Sequence, residues 1–335
     1  LFAQVTNPAV DSIREELVMS MDITLGEEKN LLSESPLHCR KLKLSHPILS
    51  IEEIEKIKAL DQADMKSVVL STTFSKAGNG GLKKAMDLLC AQVSKAIENG
   101  ATIVVLSDRQ MDAENCAIPS LLAVAGVHNY LLRNKTRTRV GLVIETGEPR
   151  EMMHFALLIG YGAGGICPYL AYETALVTAE EKIYVKDVNS KLAIPNYIKS
   201  TRKGLFKIIA KMGISTIQSY RGAQIFEAVG LNDEVVSQFF TDTPSRVSGA
   251  GLDVIEKEVL MRHQLAYEND DDLPTALDTG GNYHWRRGGE EHMINPNSIA
   301  LLQHATRSNN YSTFKKFSRL ADEENTRRST LRGLM

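Results

Sequence analysis

Polar side chains stand at the ends of four apolar runs that have the composition of buried strands. They are Asp108, Glu145, Tyr169 and Arg221. Where parallel strands end side by side, their last residues can form a site. Two carboxylates, a phenol and a guanidinium could perform general acid–base chemistry there. The same four side chains could instead cap loops and face a neighbouring domain, and the sequence favours neither interpretation.

Two glycine-rich stretches resemble phosphate-binding loops. The first, GYGAGG at residues 160–165, matches G-x-G-x-x-G, but a helical pattern precedes it and a strand-like run follows. A dinucleotide site needs the opposite order, so we interpret this stretch as a helix end and a tight loop. The second, Asn79 to Gly81, follows a strand and opens a helix. It lacks the Lys-Ser or Lys-Thr ending of a P-loop, so a plain loop is favoured there too.

Histidines and cysteines could hold a metal, but their spacing does not favour it. His284 and His292 are separated by a Gly-Gly loop and two glutamates, unlike the helical H-E-x-x-H pattern. The cysteines, widely spaced and without a C-x-x-C pair, are Cys39, Cys90, Cys116 and Cys167. We predict no metal site, and reduced core thiols in a cytoplasmic protein.

The elements that would position these residues repeat one unit. From residue 45 onward, apolar runs such as 101–108 alternate with helical patterns such as 82–97, which stops at Gly100. Strands that alternate with helices imply parallel pairing. We predict an α/β fold, a (β/α) barrel that is complete or partial, with a doubly wound open sheet as the alternative. A sixth strand is predicted at 213–220, and a short helix at 222–230.

Composition excludes several classes of protein. The chain has 335 residues, of which 43% are hydrophobic, and a formal net charge of -2 from 39 basic and 41 acidic residues. This balance gives no general attraction to nucleic acid or to acidic lipid. No apolar run approaches the ~18 residues of a membrane helix. The chain begins with Leu1 and ends without an obvious terminator, so we expect it to be a piece of a longer protein.

The opening residues carry a specific resemblance. The stretch LFAQVTNPAVDSIREELVMSMDITLGEEKNLL resembles the segment of the glutamate synthase large subunit that joins its glutaminase domain to its flavin domain. The residues that match the family pattern are Asn7, Pro8, Asp11, Arg14, Glu15, Val18, Met19 and Ser20. Ala9 and Ser12 stand where the family usually has prolines. The resemblance continues in order through VVLSDR, YLAYET, KGLFKIIAKMGISTIQSYRGAQIFEAVGL and GGEEHMINP, and so covers essentially the whole chain.

The resemblance implies a place in a larger enzyme. Residues 1–268 would be its central (β/α) domain, 269–297 an irregular linker, and 298–335 the helical start of the FMN-binding domain. That enzyme makes two glutamates from 2-oxoglutarate and glutamine, with ammonia channelled internally and reduction by FMN. Electrons would come through a 3Fe-4S cluster, from an NAD(P)H-oxidising small subunit or from ferredoxin. The nucleophilic cysteine, the FMN barrel and the cluster cysteines would lie outside residues 1–335, so we expect no cofactor on this chain.

Within the chain, the resemblance places the V-M-S segment beside FMN and 2-oxoglutarate. Met19 and Ser20 are therefore the predicted contact residues. A thioether packs well against an apolar ring edge, and a hydroxyl can donate to phosphate or carboxylate. Met19 could equally be core at a seam between domains. Two functions stay open: a scaffold and tunnel wall in a flavoenzyme, or an autonomous (β/α) enzyme that uses Asp108, Glu145, Tyr169 and Arg221.

Overall fold

The computed structural model describes residues 2–3, 5–11, 13–77, 80–182, 189–267, 279–326 and 330–335. The strands in these ranges are β1 Phe2–Ala3, β2 Ile23–Leu25, β3 Leu42–Leu44, β4 Asp61–Gln62, β5 Met65–Ser71, β6 Thr73–Ser75, β7 Ile103–Ser107, β8 Asn115–Ala117, β9 Gly141–Glu145, β10 Gly165–Cys167, β11 Phe226–Leu231 and β12 Ser245–Ala250. The α-helices are α1 Glu15–Val18, α2 Ile51–Lys58, α3 Gly81–Glu98, α4 Ser120–Arg133, α5 Met152–Gly160, α6 Tyr169–Glu180, α7 Ala193–Met212, α8 Ile217–Tyr220, α9 Asp233–Phe239, α10 Leu252–Tyr267, α11 Pro296–Arg307, α12 Tyr311–Thr326 and α13 Leu331–Leu334.

The main sheet has the strand order β10-β9-β7-β5-β4. The pairs β5–β7, β7–β9 and β9–β10 are parallel, and β4 adds an antiparallel edge. Every residue of β7 and β9 is buried, as expected of strands covered on both faces. The predicted α/β class with a parallel sheet is confirmed. The strands pair as an open sheet, and no closed ring of strands forms within the described ranges.

Sequence patterns explain why the helices form where they do. In α2, Ser50 Oγ accepts from Glu53 N at 3.2 Å and Glu53 accepts from Ser50 N at 2.8 Å, a capping box. In α3 the predicted apolar face is buried. The first amides of α3, on Gly81 and Leu82, donate to the buried carboxylate of Glu256 on α10 at 3.1 and 3.3 Å. This contact fixes α10 against the start of α3.

Two predicted elements are wrong in type. The sequence predicts a strand at 213–220, but Thr216 instead caps the short helix α8 and forms an isolated bridge to Ser20. It predicts a helix at 222–230, but Phe226–Leu231 is strand β11, with Phe226 and Ala228 buried and Val229 exposed. Both stretches are too short for periodicity to separate helix from strand, so tertiary packing decides.

The N-terminal segment docks on the end of α7. Thr6 N and Asn7 N donate to Met212 O at 3.3 and 3.4 Å, and Val10 N donates to Ala210 O at 2.9 Å. Gly213, with φ +75°, ends α7 in the left-handed conformation. A Cβ there would lie 2.7 Å from the carbonyl oxygens of Asn7 and Pro8. Glycine is therefore required twice, by the backbone angle and by the docked segment.

The chain divides into two compact units, Leu1–Glu268 and Asn269–Met335. In the second unit, Asn295 caps α11 through a capping box with Ser298, and α11 packs against α12. Of the predicted linker at 269–297, residues 269–278 lie outside the described ranges, and 279–295 form turns and bends. The assignment of these regions to named domains stays a prediction.

We predict that Gly213→Ala destabilises the chain more than Gly100→Ala. Both glycines follow a helix with positive φ, so alanine costs about 1 kcal/mol of backbone strain at either site. A Cβ at Gly100 meets nothing within 4 Å, whereas at Gly213 it meets backbone oxygens. Crowding should add about 1–3 kcal/mol at Gly213. Denaturant unfolding of both variants measures the difference, and equal losses would show that the N-terminal segment is not docked on α7.

Candidate functional site

Glu145, the last residue of β9, is the centre of a polar cluster at the carboxyl ends of the parallel strands. The register pairs Glu145 with Ser107 on β7 and with Cys167 on β10. Its side chain is fully buried. Ser107 Oγ donates to Glu145 Oε2 at 2.6 Å, Arg109 Nε donates to Oε1 at 2.7 Å, and Lys58 Nζ lies 2.9 Å from the carboxylate. Both carboxylate oxygens therefore have donors.

The cluster keeps its charges. Burial alone would raise the pKa of Glu145, but hydrogen bonds from Ser107, Lys58 and Arg109 outweigh it and hold that pKa below its ordinary value. Burial works against the charged form of Lys58 as well, yet contacts with Glu55 and Glu145 raise the pKa of its ammonium group. At neutral pH, Glu145 is an ion-paired carboxylate. Because its oxygens are engaged by these donors, it is a poor general base.

Asp108 and Tyr169 lie next to this cluster. Asp108 Oδ2 accepts from Thr146 Oγ1 at 2.6 Å and from Gly147 N at 3.1 Å. Its other oxygen, Oδ1, is buried and has no partner with hydrogen-bond geometry among the described residues. Burial raises the pKa of Asp108. Burial and the charge of Asp108 together raise the pKa of Tyr169, and the guanidinium of Arg109 lies 4.1 Å from the Tyr169 ring centroid.

A cavity of about 220 Å³ opens beside Asp108 and Tyr169. Helix α10 forms its far wall with Arg262, His263 and Tyr267. His263 Nε2 lies 2.7 Å from Asp112 O, and the rings of His263 and Tyr267 are 4.6 Å apart. The cavity is thus built between the strand ends and a helix whose position is fixed by its contact with α3.

Arg221 does not belong to this group, which corrects the sequence-based set. It follows α8 rather than a strand, and a Cβ at Gly164, just before β10, would lie 3.2 Å from its NH1 atom. It lines a separate cavity with Gly141, the first residue of β9. Arg221 therefore lies at the amino ends of the parallel strands. Three of the four predicted residues converge and the fourth is at the opposite edge.

Met19 and Ser20 lie between α1 and β2. Met19 is 7% exposed and belongs to the hydrophobic core. Ser20 N donates to Ser215 O, and Ile217 N donates to Ser20 O, each at 2.9 Å. Ser20 Oγ accepts from Asp22 N at 3.1 Å, so its own proton is available to another acceptor. The role of these two residues toward FMN and 2-oxoglutarate stays a prediction.

The remaining motifs have plain structural roles. Helix α5 ends at Gly160, and β10 begins at Gly165, which confirms the predicted helix–loop–strand order of GYGAGG. Asn79 of the other glycine loop lies outside the described ranges. His292 Nε2 contacts Gly281 O at 2.5 Å. Among the residues that the structure describes, no group of three or more metal-ligating side chains is found, and no helix is both long and apolar enough to cross a membrane.

Comparison with known proteins shows the family of the chain. The sequence profile described as "Glutamate synthase central domain" matches residues 1–232. The chain belongs to the glutamate synthase central-domain family. It is 44% identical over 324 residues to the glutamate synthase [NADPH] large chain of Bacillus subtilis (strain 168), covering 97% of this chain and 21% of that protein. The resemblance derived from the opening residues is therefore confirmed.

Other relatives of this glutamate synthase central domain carry different names. The glutamate synthase [NADH] of Schizosaccharomyces pombe is 39% identical, over 100% of this chain and 16% of that protein. The ferredoxin-dependent glutamate synthase of Oryza sativa subsp. japonica is 39% identical, over 94% and 20%. The flavin-binding domain of baker's yeast flavocytochrome b2 gives a TM-score of 0.33 at 16% identity, over 69% of this chain and 46% of that one.

Two members of the Glu145 cluster, Lys58 and Ser107, escape prediction from sequence. Lys58 is 87 residues from Glu145 along the chain and is the last residue of the amphipathic helix α2. Ser107 stands one position before the predicted strand-end aspartate. One sequence signal could have predicted the contact between Ser107 and Glu145. The first strand ends in Ser-Asp-Arg and the next in Glu-Thr, but the pairing follows only when the register of the two strands is known.

We predict that Glu145→Gln lowers the free energy of unfolding by about 3–5 kcal/mol, because it leaves Lys58 and Arg109 without their shared buried anion. Glu55→Gln is the matched control. Glu55 pairs with the same Lys58 but is 59% exposed, so its loss should cost under about 1 kcal/mol. Chemical denaturation of both variants gives the comparison. Equal effects would mean that Glu145 is not the anchor of the cluster.

The same variant has an expected pH signature. The pKa of Glu145 is lower in the folded chain than in the unfolded chain. Its stabilisation is therefore present above the unfolded glutamate pKa of about 4.3 and is lost as pH falls through the lower, folded value. The stability gap between wild type and Glu145→Gln should be constant near neutrality and shrink in acid. A gap that is independent of pH would contradict the ion-pair account.

Proposed function

We propose that this chain works as the central domain of a glutamate synthase, as a scaffold and as a wall of the ammonia path and of the flavin site. In the complete polypeptide, glutamine and 2-oxoglutarate would yield two molecules of L-glutamate. The observation that carries the proposal is the central-domain match over residues 1–232, in relatives of which this chain spans 16–21%. Activity therefore requires domains beyond the matched segment.

The site geometry supports a scaffold rather than an autonomous enzyme. Glu145 is engaged by three donor side chains, and Arg221 lies at the other edge of the sheet. The four side chains that an autonomous (β/α) enzyme would use do not converge. The Glu145 cluster links α2, β7 and β9. Because the oxygens of Glu145 are engaged by its donors, this carboxylate is a poor general base.

We further infer that the open sheet is a partial (β/α) barrel. The parallel strands β5, β7, β9 and β10 are neighbours in chain order. A doubly wound sheet would reverse its strand order at a switch point, and this order does not reverse. The isolated parallel bridge between Ile48 and Ile166 continues the sheet beyond β10.

The segment around Met19 supports contact with another domain. Upstream of it, Ile13, Leu17 and Val18 are exposed apolar side chains, of the kind that a neighbouring domain covers. Met19 and Ser20 would supply a thioether and a hydroxyl proton at that contact. Two basic side chains near them, Arg14 and Lys207, form salt bridges with Asp11 and Glu15. FMN, which would supply hydride, would then be held chiefly by the flavin domain.

The partners proposed for the chain follow from this placement. They are the glutaminase and FMN domains of the same polypeptide, and a 3Fe-4S cluster that passes electrons to FMN. The relatives are named for NADPH, NADH and ferredoxin, so the electron donor is either an NAD(P)H-oxidising small subunit or ferredoxin. Relatives with each donor match nearly the whole chain, so the scaffold is compatible with any of them.

We predict that Met19→Ala, in a full-length glutamate synthase carrying this central domain, impairs glutamate formation more than glutamine hydrolysis. Losing the thioether loosens the surface beside 2-oxoglutarate, and a misplacement of ~1 Å can cost about a hundredfold in rate. Glutamate synthesis and glutaminase activity are measured on the same preparation. Met19→Leu, which keeps the volume, should restore most of the synthesis.

Met86→Ala is the control for packing alone. Met86 is fully buried in α3, so the variant should lose about 2–5 kcal/mol of stability. The folded fraction should keep the ordinary ratio of synthesis to hydrolysis. If Met19→Ala behaves in the same way, with an unchanged ratio and lower stability, Met19 is core packing and its assignment to the flavin site is wrong.

We predict that the purified 335-residue chain is colourless and does not bind FMN stoichiometrically. The reason is that the residues around Met19 would form only one wall of the flavin site, and that Arg14 and Lys207 near them are paired with Asp11 and Glu15. Visible absorbance of the purified chain and titration with FMN test this. A bound equivalent of flavin would favour the autonomous (β/α) enzyme over the scaffold.

A further inference from the structure

A second polar cluster lies at the amino ends of the parallel strands, opposite the Glu145 cluster. Its members are His128 on α4, Arg137, which precedes β9, and Arg221 after α8. Arg137 Nε donates to His128 Nδ1 at 2.8 Å, NH1 donates to Val140 O at 2.7 Å, and NH2 donates to Gly162 O at 2.9 Å. Arg137 is thus locked by the loops that enter β9 and β10.

The cluster has more positive charge than its surroundings neutralise. Burial, with the charges of Arg137 and Arg221, lowers the pKa of His128 to about 3, so His128 is neutral and accepts from Arg137. Burial, with the charge of Arg221, lowers the pKa of Arg137 to about 9. Two guanidinium groups therefore repel each other here, and no carboxylate of the described residues is hydrogen-bonded to Arg137.

Arg221 is the exceptional member. Within the described ranges, its guanidinium has neither a hydrogen bond nor an ion pair, although burial lowers its pKa. Glu28 faces it but forms a salt bridge with Lys41. In this part of the described structure, the carboxylate of Glu28 is therefore near three cationic side chains, which are Lys41, Arg137 and Arg221. Arg221 is half-buried and lines a cavity, so its five N–H donors are open to an added acceptor.

The space for such an acceptor exists. A cavity of about 150 Å³ is lined by Thr24, Gly26, Glu28, His128, Arg137, Thr138, Val140, Gly141 and Arg221. A water molecule takes about 30 Å³ of liquid volume, so a tetrahedral oxyanion and some water fit. A Cβ at Gly141 would lie 3.0 Å from Gly26 N. The two glycines let the backbones of β2 and β9 approach closely at the cavity wall.

We propose that this cavity is a binding site for a compact oxyanion, a phosphate, a sulfate or a carboxylate, held by the guanidinium groups of Arg221 and Arg137. Planar guanidinium groups pair with oxyanions through two parallel hydrogen bonds. Arg137, already fixed by three protein acceptors, retains two N–H donors, and Arg221 retains all of its donors. The bound anion would join α4, the loops before β9 and β10, and the end of α8. This role is independent of the glutamate synthase assignment.

Inorganic phosphate is the first probe, titrated calorimetrically into the 335-residue chain at constant ionic strength set with chloride. Wild type should bind one equivalent, and its unfolding midpoint should rise with phosphate concentration. Arg221→Met should weaken phosphate binding by at least about tenfold, as expected for the loss of a charge-assisted hydrogen bond. Arg133→Met, which removes an exposed arginine from the same helix as His128, should bind as wild type does.

Two further arms make the result decisive. Without an oxyanion, Arg221→Met should be at least as stable as wild type, because it removes an unpaired charge. Glu28→Gln should tighten phosphate binding, because it removes a negative charge from the wall of the cavity. If Arg221→Met does not fold, Arg221→Lys is the substitute. It keeps the positive charge but loses the planar guanidinium that donates two parallel hydrogen bonds, so it should also weaken phosphate binding.

A parallel titration with malonate, a dicarboxylate, distinguishes a site for phosphate-bearing ligands from a site for carboxylates. Tighter binding of phosphate assigns the site to phosphate-bearing ligands, and tighter binding of malonate assigns it to carboxylates. Either result supports the proposal if Arg221→Met weakens the binding of that probe at least about tenfold. Wild type that binds neither probe, or Arg221→Met that binds as tightly as wild type, would overturn it.

Discussion

The buried carboxylate of Glu145 needs hydrogen-bond donors, and the residues that supply them determine how one end of this domain is arranged. Glu145 ends β9 with no exposure to solvent, and it is held by Ser107, Arg109 and Lys58. Those donors come from β7, from the loop that follows it, and from α2. Removing Glu145 would leave Lys58 and Arg109 without their shared buried anion, and such a loss costs more than the ion pair itself contributes to stability. The strand ends and α2 are therefore fixed relative to one another.

The two ends of the parallel strands have opposite electrostatic character. At the carboxyl ends, Glu145 is matched by its donors, and Asp108 accepts from Thr146 and Gly147 through one of its two oxygens. At the amino ends, Arg137 and Arg221 exceed the available carboxylates of the described residues. A scaffold needs only the first arrangement. The second is unbalanced within the part of the chain that the structure describes, and an anion bound there would complete it.

Membership of the glutamate synthase central-domain family gives both arrangements a context. A domain that spans about a fifth or less of its relatives is expected to hold other domains in position. The exposed apolar residues before Met19 are of the kind that such a contact would cover. The docking of residues 6–10 on α7 holds the segment that precedes them.

The sequence by itself determined the α/β class, the strands at 103–107 and 141–145, the long helices, and the family, because continuous β-branched runs, helical periodicity and long motifs are local signals. It placed Asp108, Glu145 and Tyr169 at one edge, because parallel strands end together. Only the tertiary structure decided that 217–220 is a helix and 226–231 a strand, since such short stretches fit either period. It alone moved Arg221 to the opposite edge and brought Lys58 to Glu145, because electrostatic pairing across 87 residues depends on register and packing rather than on local pattern.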